Sequence, residues 1–278
     1  MAKRIGILVL HGMGEQPPDF DHDLKAKLLA RLGDTVASDV AWQNVYYQPI
    51  MQHNQEEVWK RVAAQQPRWM NSRRFFLYGF SDAATYEHSP GATDSVYKQV
   101  HEVIREAMDA LQTELGDENA PLVIFAHSLG CQVISNYIWD AMAGKGIWAG
   151  RSPSDFHRFK TLSYMFTAGC NIPLFVSGME NIEAINKPND NFQWLNYYDK
   201  DDFLGWPLKP LSTGFENSYD AIVTQDIPIN AHRSWNPLSW LASWTPAAHT
   251  MYWVADGLIN PVAKHITSLY GEQGNDKQ

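Results

Sequence analysis

The pentapeptide Ala126-His127-Ser128-Leu129-Gly130, directly after the apolar run of residues 121–125, constrains this chain more than any other feature. It has the form G-x-S-x-G with Ala in the first place. A serine at the tip of a sharp strand-to-helix turn presents its hydroxyl on the outside. The residues two positions to either side must be small, or their side chains collide across the turn. Ala126 and Gly130 meet that condition. Leu122, Val123, Ile124 and Phe125 read as a strand buried on both faces. Beyond the turn, Val133, Ile134, Tyr137, Ile138, Ala141 and Met142 recur at helical spacing. Strand, turn and helix in that order make Ser128 a candidate nucleophile rather than an ordinary turn serine.

The rest of the chain reads as alternating strands and helices, the pattern of an α/β sheet. Ile5–Leu10 is the first strand, and residues 40–47 the second. Leu24, Leu28, Leu29 and Leu32 stripe the helix between them. Val96, Val100, Val103, Ile104, Ala107, Leu111 and Leu115 stripe a long helix before the serine strand. Residues 162–167, 192–198 and 226–229 are further strands. A last helix covers about 251–269, with Pro261 expected to kink or divide it. With 278 residues, 45% hydrophobic and 19% charged, residues 1–270 are expected to form one large domain, and 271–278 a polar tail.

A net charge of −9 disfavours nucleic acid and anionic membranes as partners. Met-Ala-Lys-Arg runs straight into Ile5–Leu10, an apolar run too short for the core of a secretion signal. No stretch approaches the roughly 18 apolar residues of a membrane span. The expectation is a cytoplasmic protein. Two cysteines, Cys131 and Cys170, match no zinc spacing, and Cys131 reads as a small core residue. Asp19, Asp21 and Asp23 alternate like a calcium loop, but Leu24 and Ala30 stand where its glycine and closing glutamate belong. That run reads as a solvated loop and helix start.

A serine hydroxyl needs a base to take its proton, an acid to hold the base, and donors aimed at the developing oxyanion. Leu10-His11-Gly12-Met13-Gly14 follows the first strand, so Met13 N–H is one candidate donor, with Leu129 N–H, next after the serine, the other. Among ten histidines, only His232 and His249 follow the late strands without being set in a loop or deep in the last helix. His249 stands where a loop turns into the closing helix and is the preferred base, His232 the alternative. The acid falls in Asp199-Lys200-Asp201-Asp202-Phe203-Leu204. Asp202, anchored by the apolar pair after it, is preferred, with Asp199 the alternative.

In this combination the chain resembles the α/β-hydrolase superfamily, and its lipase- and esterase-like serine hydrolases in particular. The resemblance rests on His11-Gly12 after the first strand, the Ser128 elbow, the Asp cluster, His249, and their order Ser, Asp, His. Thr167-Ala168-Gly169-Cys170-Asn171-Ile172-Pro173-Leu174-Phe175 is similar to the strand-end segment beside the site in such proteins, and His249-Thr250-Met251-Tyr252-Trp253 to their His-x-x-Tyr-Trp. The acid loop departs from the family in lacking an Asp-Pro pair. The resemblance implies an α/β-hydrolase fold with a mostly parallel central sheet, and hydrolysis of carboxylic esters through an acyl-enzyme, with no cofactor or metal. A thioesterase or acyltransferase would use the same parts, and a binding protein that had lost the chemistry would keep the fold.

Residues 52–92 and 231–248 break the alternation and are rich in aromatics, among them Trp59, Trp69, Phe76 and Phe80 in the first and Trp235, Trp240 and Trp244 in the second. They are expected to be insertions that cap the sheet and make an apolar acyl pocket, with Trp69 and Trp240 in its wall.

Overall fold

The computed structural model describes residues 2–52, 55–87, 95–231 and 249–275. Six strands make one sheet: β1 (Ile5–Leu10), β2 (Val40–Val45), β3 (Leu122–His127), β4 (Leu162–Ala168), β5 (Gln193–Asp199) and β6 (Val223–Ile229). Every neighbouring pair is parallel, in the order β2-β1-β3-β4-β5-β6. The helices are α1 (His22–Ser38), α2 (Gln48–Met51), α3 (Gln55–Ala63), α4 (Met70–Glu87), α5 (Val96–Leu115), α6 (Leu129–Ala143), α7 (Ile172–Val176), α8 (Tyr219–Ile222) and α9 (Asp256–Asn275).

The central strands β1 and β3 are buried throughout, with helices on both faces, and so are apolar without alternation. Alternate side chains nevertheless go to different cores. Ile5, Ile7 and Val9 of β1 and Val123 and Phe125 of β3 pack with Leu24, Leu28 and Leu32 of α1 and Leu258, Ile259 and Val262 of α9. Leu8, Leu10, Leu122, Ile124 and Ala126 pack on the opposite face with Val100, Ile104 and Leu111 of α5 and Val133, Ile134 and Ile138 of α6. Each such aliphatic side chain contributes about 1.5–3 kcal/mol by leaving water. The all-parallel strand order, helices on both faces, and a serine turn after the central β3 make a doubly wound α/β sheet consistent with the α/β-hydrolase fold.

Three local expectations need correction. The break near the C-terminus falls at Ala255, between a 3-10 turn (Met251–Val254) and α9, and Pro261 sits inside an unbroken helix. Strand β2 ends at Val45, so Tyr47 lies beyond it. Asp21 is not solvated: it is buried and accepts hydrogen bonds from Trp42 Nε1 and Asn44 Nδ2, tying the start of α1 to β2. The described part of 52–92 holds the helices α3 and α4, joined by a turn over residues 64–69. Residues 232–248 lie outside the described residues, and with them His232, Trp235, Trp240 and Trp244.

Because all six strands run the same way, the loops leaving β1, β3, β4 and β5 open on one edge of the sheet. The chain moves outward from β1 to β2 and then crosses back to β3, so the winding reverses between β1 and β3. Doubly wound sheets form their crevice at this reversal, outside the carboxyl ends of the strands. Met13 and Ser128 stand on its two sides.

Candidate active site

Ser128 joins β3 to α6 with φ 52° and ψ −123°, one of four non-glycine residues at positive φ among those described. A backbone of this kind costs roughly 1–3 kcal/mol and persists only where its surroundings enforce it. The surroundings here are close. A Cβ on Gly130 would collide with the His11 carbonyl, and one on Gly12 would lie 2.7 Å from Ser128 Cβ. The two glycines therefore let the turn press against the end of β1. Ser128 N–H donates to the Ala168 carbonyl at 3.0 Å, which fixes the turn to β4 as well.

His249 Nδ1 hydrogen-bonds Asp202 Oδ2 at 2.8 Å, with both side chains buried. The same carboxylate accepts from Tyr252 OH at 2.9 Å through Oδ2 and from Leu204 N–H at 3.0 Å through Oδ1. Burial pushes the Asp202 carboxyl up, but the His249 bond and charge, the Leu204 amide and the Tyr252 hydroxyl outweigh it, and the group is held below the ordinary aspartate value. Asp199, the alternative acid, faces elsewhere: it accepts from Asp201 N–H at 3.0 Å and Ala231 N–H at 2.7 Å, bracing the loop. The structure thus brings Asp202, and not Asp199, to His249.

Ser128 Oγ and His249 Nε2 are both buried, and neither hydrogen-bonds any described residue, so they are not bonded to each other in this state. The two are nevertheless neighbours through His127, whose ring centroid is 4.7 Å from that of His249. His127 Nε2–H donates to the His249 carbonyl at 2.7 Å. Burial pushes His127 down to about 3, so it stays neutral and tethers the His249 backbone beside the serine turn. His11 is likewise pushed down by burial, to about 4. It donates from Nδ1 to the Gly12 carbonyl at 2.7 Å, accepts the Tyr47 N–H at 3.2 Å, and stacks on the Tyr47 ring. It shapes the loop after β1 rather than titrating.

Leu129 N–H is in the first turn of α6, where amides have no partner within the helix and carry the positive end of its dipole. Met13 lies across the reversal, and its Sδ packs so closely on α4 that a Cβ at Gly79 would come within 2.7 Å of it. Next to it is an apolar cavity of about 180 Å³. Its walls include Met13 from the loop after β1, Phe76, Phe80 and Ala83 from α4, Leu174 from α7, and Leu204 from the loop after β5. Trp69 is not in the wall. It lies at the start of α4, 79% exposed, which corrects the expectation for that residue.

Two residues in the site were given no role by the sequence. Tyr252 was visible only as part of His-x-x-Tyr-Trp; three residues past His249 on a helical turn, it reaches the Asp202 carboxylate and also accepts Asp199 N–H at 2.8 Å. His127 was legible as a motif position, but its tether to His249 spans 122 residues of sequence and has no local signal.

No family model matches the chain, and no curated protein matches it. Among solved structures, a cutinase-like protein from Cryptococcus sp. aligns at 11% identity, covering 96% of this chain and 94% of that one, with a TM-score of 0.42. A likeness that shallow says nothing about activity.

Proposed function

We propose that the chain is a serine hydrolase that cleaves carboxylic esters through an acyl-enzyme. The observation that carries this reading is the buried Asp202–His249 pair beside a serine held at a strained turn, with His249 Nε2 and Ser128 Oγ both left without partners among the described residues. Hydrogen bonding to Asp202 puts the His249 proton on Nδ1 and leaves the Nε2 lone pair to accept the serine proton. Ser128 Oγ attacks the ester carbonyl as Nε2 takes that proton. The oxyanion forms against the Met13 and Leu129 N–H groups. Collapse expels the alcohol, protonated by His249, and the same base activates water to release the acid. Serine–histidine bonds that are long or absent in ligand-free enzymes tighten when substrate is bound. The apolar cavity beside Met13 supports an apolar acyl group as the part of the ester held there.

Fluorophosphonate labelling and hydrolysis of p-nitrophenyl alkanoates test the reading. Ser128→Ala is expected to abolish labelling and to lower kcat by about 10⁴-fold or more, because members of a triad act as a unit. Asp202→Asn should lose nearly as much, and Asp199→Asn far less. A Ser128→Ala protein with more than a tenth of wild-type turnover sinks the assignment.

A further inference from the structure

Helix α4 carries two stripes. Phe76, Gly79, Phe80 and Ala83, at spacings of three and four, face the cavity. Arg74, Tyr78 and Asp82, four apart, make polar contacts on another side. Of these, Arg74 and Asp82 grip the loop after β1. Asp82 Oδ2 accepts Gly14 N–H at 2.7 Å, and Arg74 pairs with Glu15 at 2.5 Å. Between them Met13 packs on Gly79.

Asp82 is the unusual member. It is buried, and among the described residues no lysine, arginine or histidine pairs with it. Its other hydrogen bonds come from Gln55 Nε2 at 2.7 Å and Gln52 Nε2 at 3.3 Å. Burial raises its carboxyl above the ordinary value against the pull of these donors. A carboxylate so placed is costly, and what it supplies is a strong acceptor for three N–H groups at once. One of them is the amide next after Met13. Gly14 has φ 86°, so the chain turns there, and the bond from Asp82 sets the plane of the Met13–Gly14 peptide.

We propose that Asp82 is the positioning residue of the oxyanion site: by holding Gly14 N–H it fixes the loop that aims Met13 N–H at the reacting carbonyl. This rests on the serine-hydrolase reading for its catalytic meaning. The contacts themselves stand independently of it.

The test uses the full chain and three variants. Asp82→Ala is expected to lower kcat for p-nitrophenyl butyrate about tenfold or more, since one displaced oxyanion donor costs about 10²–10³-fold, while KM changes less than about twofold. Fluorophosphonate labelling should slow in parallel. Asp82→Asn is expected to recover most of the rate. Its Oδ1 can still accept Gly14 N–H, and Gln55 can turn its amide so that its buried, unpartnered Oε1 accepts the new Nδ2–H. Asp82→Ser, too short to reach Gly14, substitutes for the alanine variant if that one does not fold. Hydrogen exchange over residues 11–16 gives a readout apart from activity, accelerated in the alanine or serine variant and near wild type in the asparagine variant. Unchanged exchange in the alanine or serine variant, a loss confined to KM, or an asparagine variant as impaired as alanine overturns the proposal. A wild-type chain with neither labelling nor hydrolysis overturns the enzymatic reading instead, and the exchange comparison still decides whether Asp82 holds the loop.

Discussion

Tyr252 shows how much of the site depends on single atoms. Its hydroxyl donates to Asp202 Oδ2 and accepts Asp199 N–H, so one oxygen joins the orienting acid to the end of β5. Tyr252→Phe removes that oxygen and little else. A buried amide left without its acceptor costs about 1–3 kcal/mol, so the melting temperature should fall measurably. Asp202 keeps its bonds to His249 and Leu204, and activity should therefore drop by only about three- to tenfold, in kcat rather than KM. Equal stability in the wild type and the phenylalanine variant would mean that the hydroxyl does not carry this link.

At the scale of elements, α4 is the part the sequence left open. The described helix lines the cavity beside Met13 with Phe76, Gly79, Phe80 and Ala83, of which Phe76 and Phe80 stay exposed to solvent, and Trp69 lies away from it. The acyl-pocket reading makes a quantitative demand on this wall. Each methylene of an acyl chain that becomes buried contributes about 0.8 kcal/mol, a few-fold in kcat/KM, until the space is filled. The wild type should therefore prefer butyrate and hexanoate over acetate. Ala83→Phe, which places a ring in the cavity, should shift the optimum to shorter acids while leaving acetate hydrolysis close to wild type. A flat profile across the p-nitrophenyl series would remove the cavity from the substrate site.

At the scale of the whole molecule, buried histidines govern the response to acid. Burial pushes His11 to about 4 and His101 and His127 to about 3. An unfolded histidine titrates near 6.5, so between that value and the folded values the unfolded chain binds more protons. The stabilisation is complete above about pH 6.5 and is lost as pH falls toward the folded values, at up to about 1.4 kcal/mol per pH unit for each group. The melting temperature should decline steadily from pH 7 to 4. His101→Gln, which can still meet the Tyr86 hydroxyl that His101 Nε2 reaches at 2.9 Å, should flatten that decline. A variant with the wild-type slope would show that His101 takes no part.

What the sequence determined by itself was local or periodic. Small residues flanking a serine between an apolar run and a helical stripe mark a sharp strand-to-helix turn. The stripes of α1 and α5 and the apolar strands followed from the 3.6-residue period and from burial on both faces. The tertiary structure decided what depends on direction. Among three carboxylates within four residues the apolar pair after Asp202 favours that residue but leaves Asp199 open, and only the path of the loop after β5 turns Asp202 toward His249 and Asp199 toward Ala231. Asp21 looked solvated because its partners, Trp42 and Asn44, lie a strand away. Pro261 stays within α9, while the chain breaks at Ala255, where the turn carrying Tyr252 must meet the acid loop. Asp82 gave no signal, because the amide it holds is 68 residues distant. Periodicity reports which face of an element is buried. Which polar atoms meet across that burial is settled only when the elements pack.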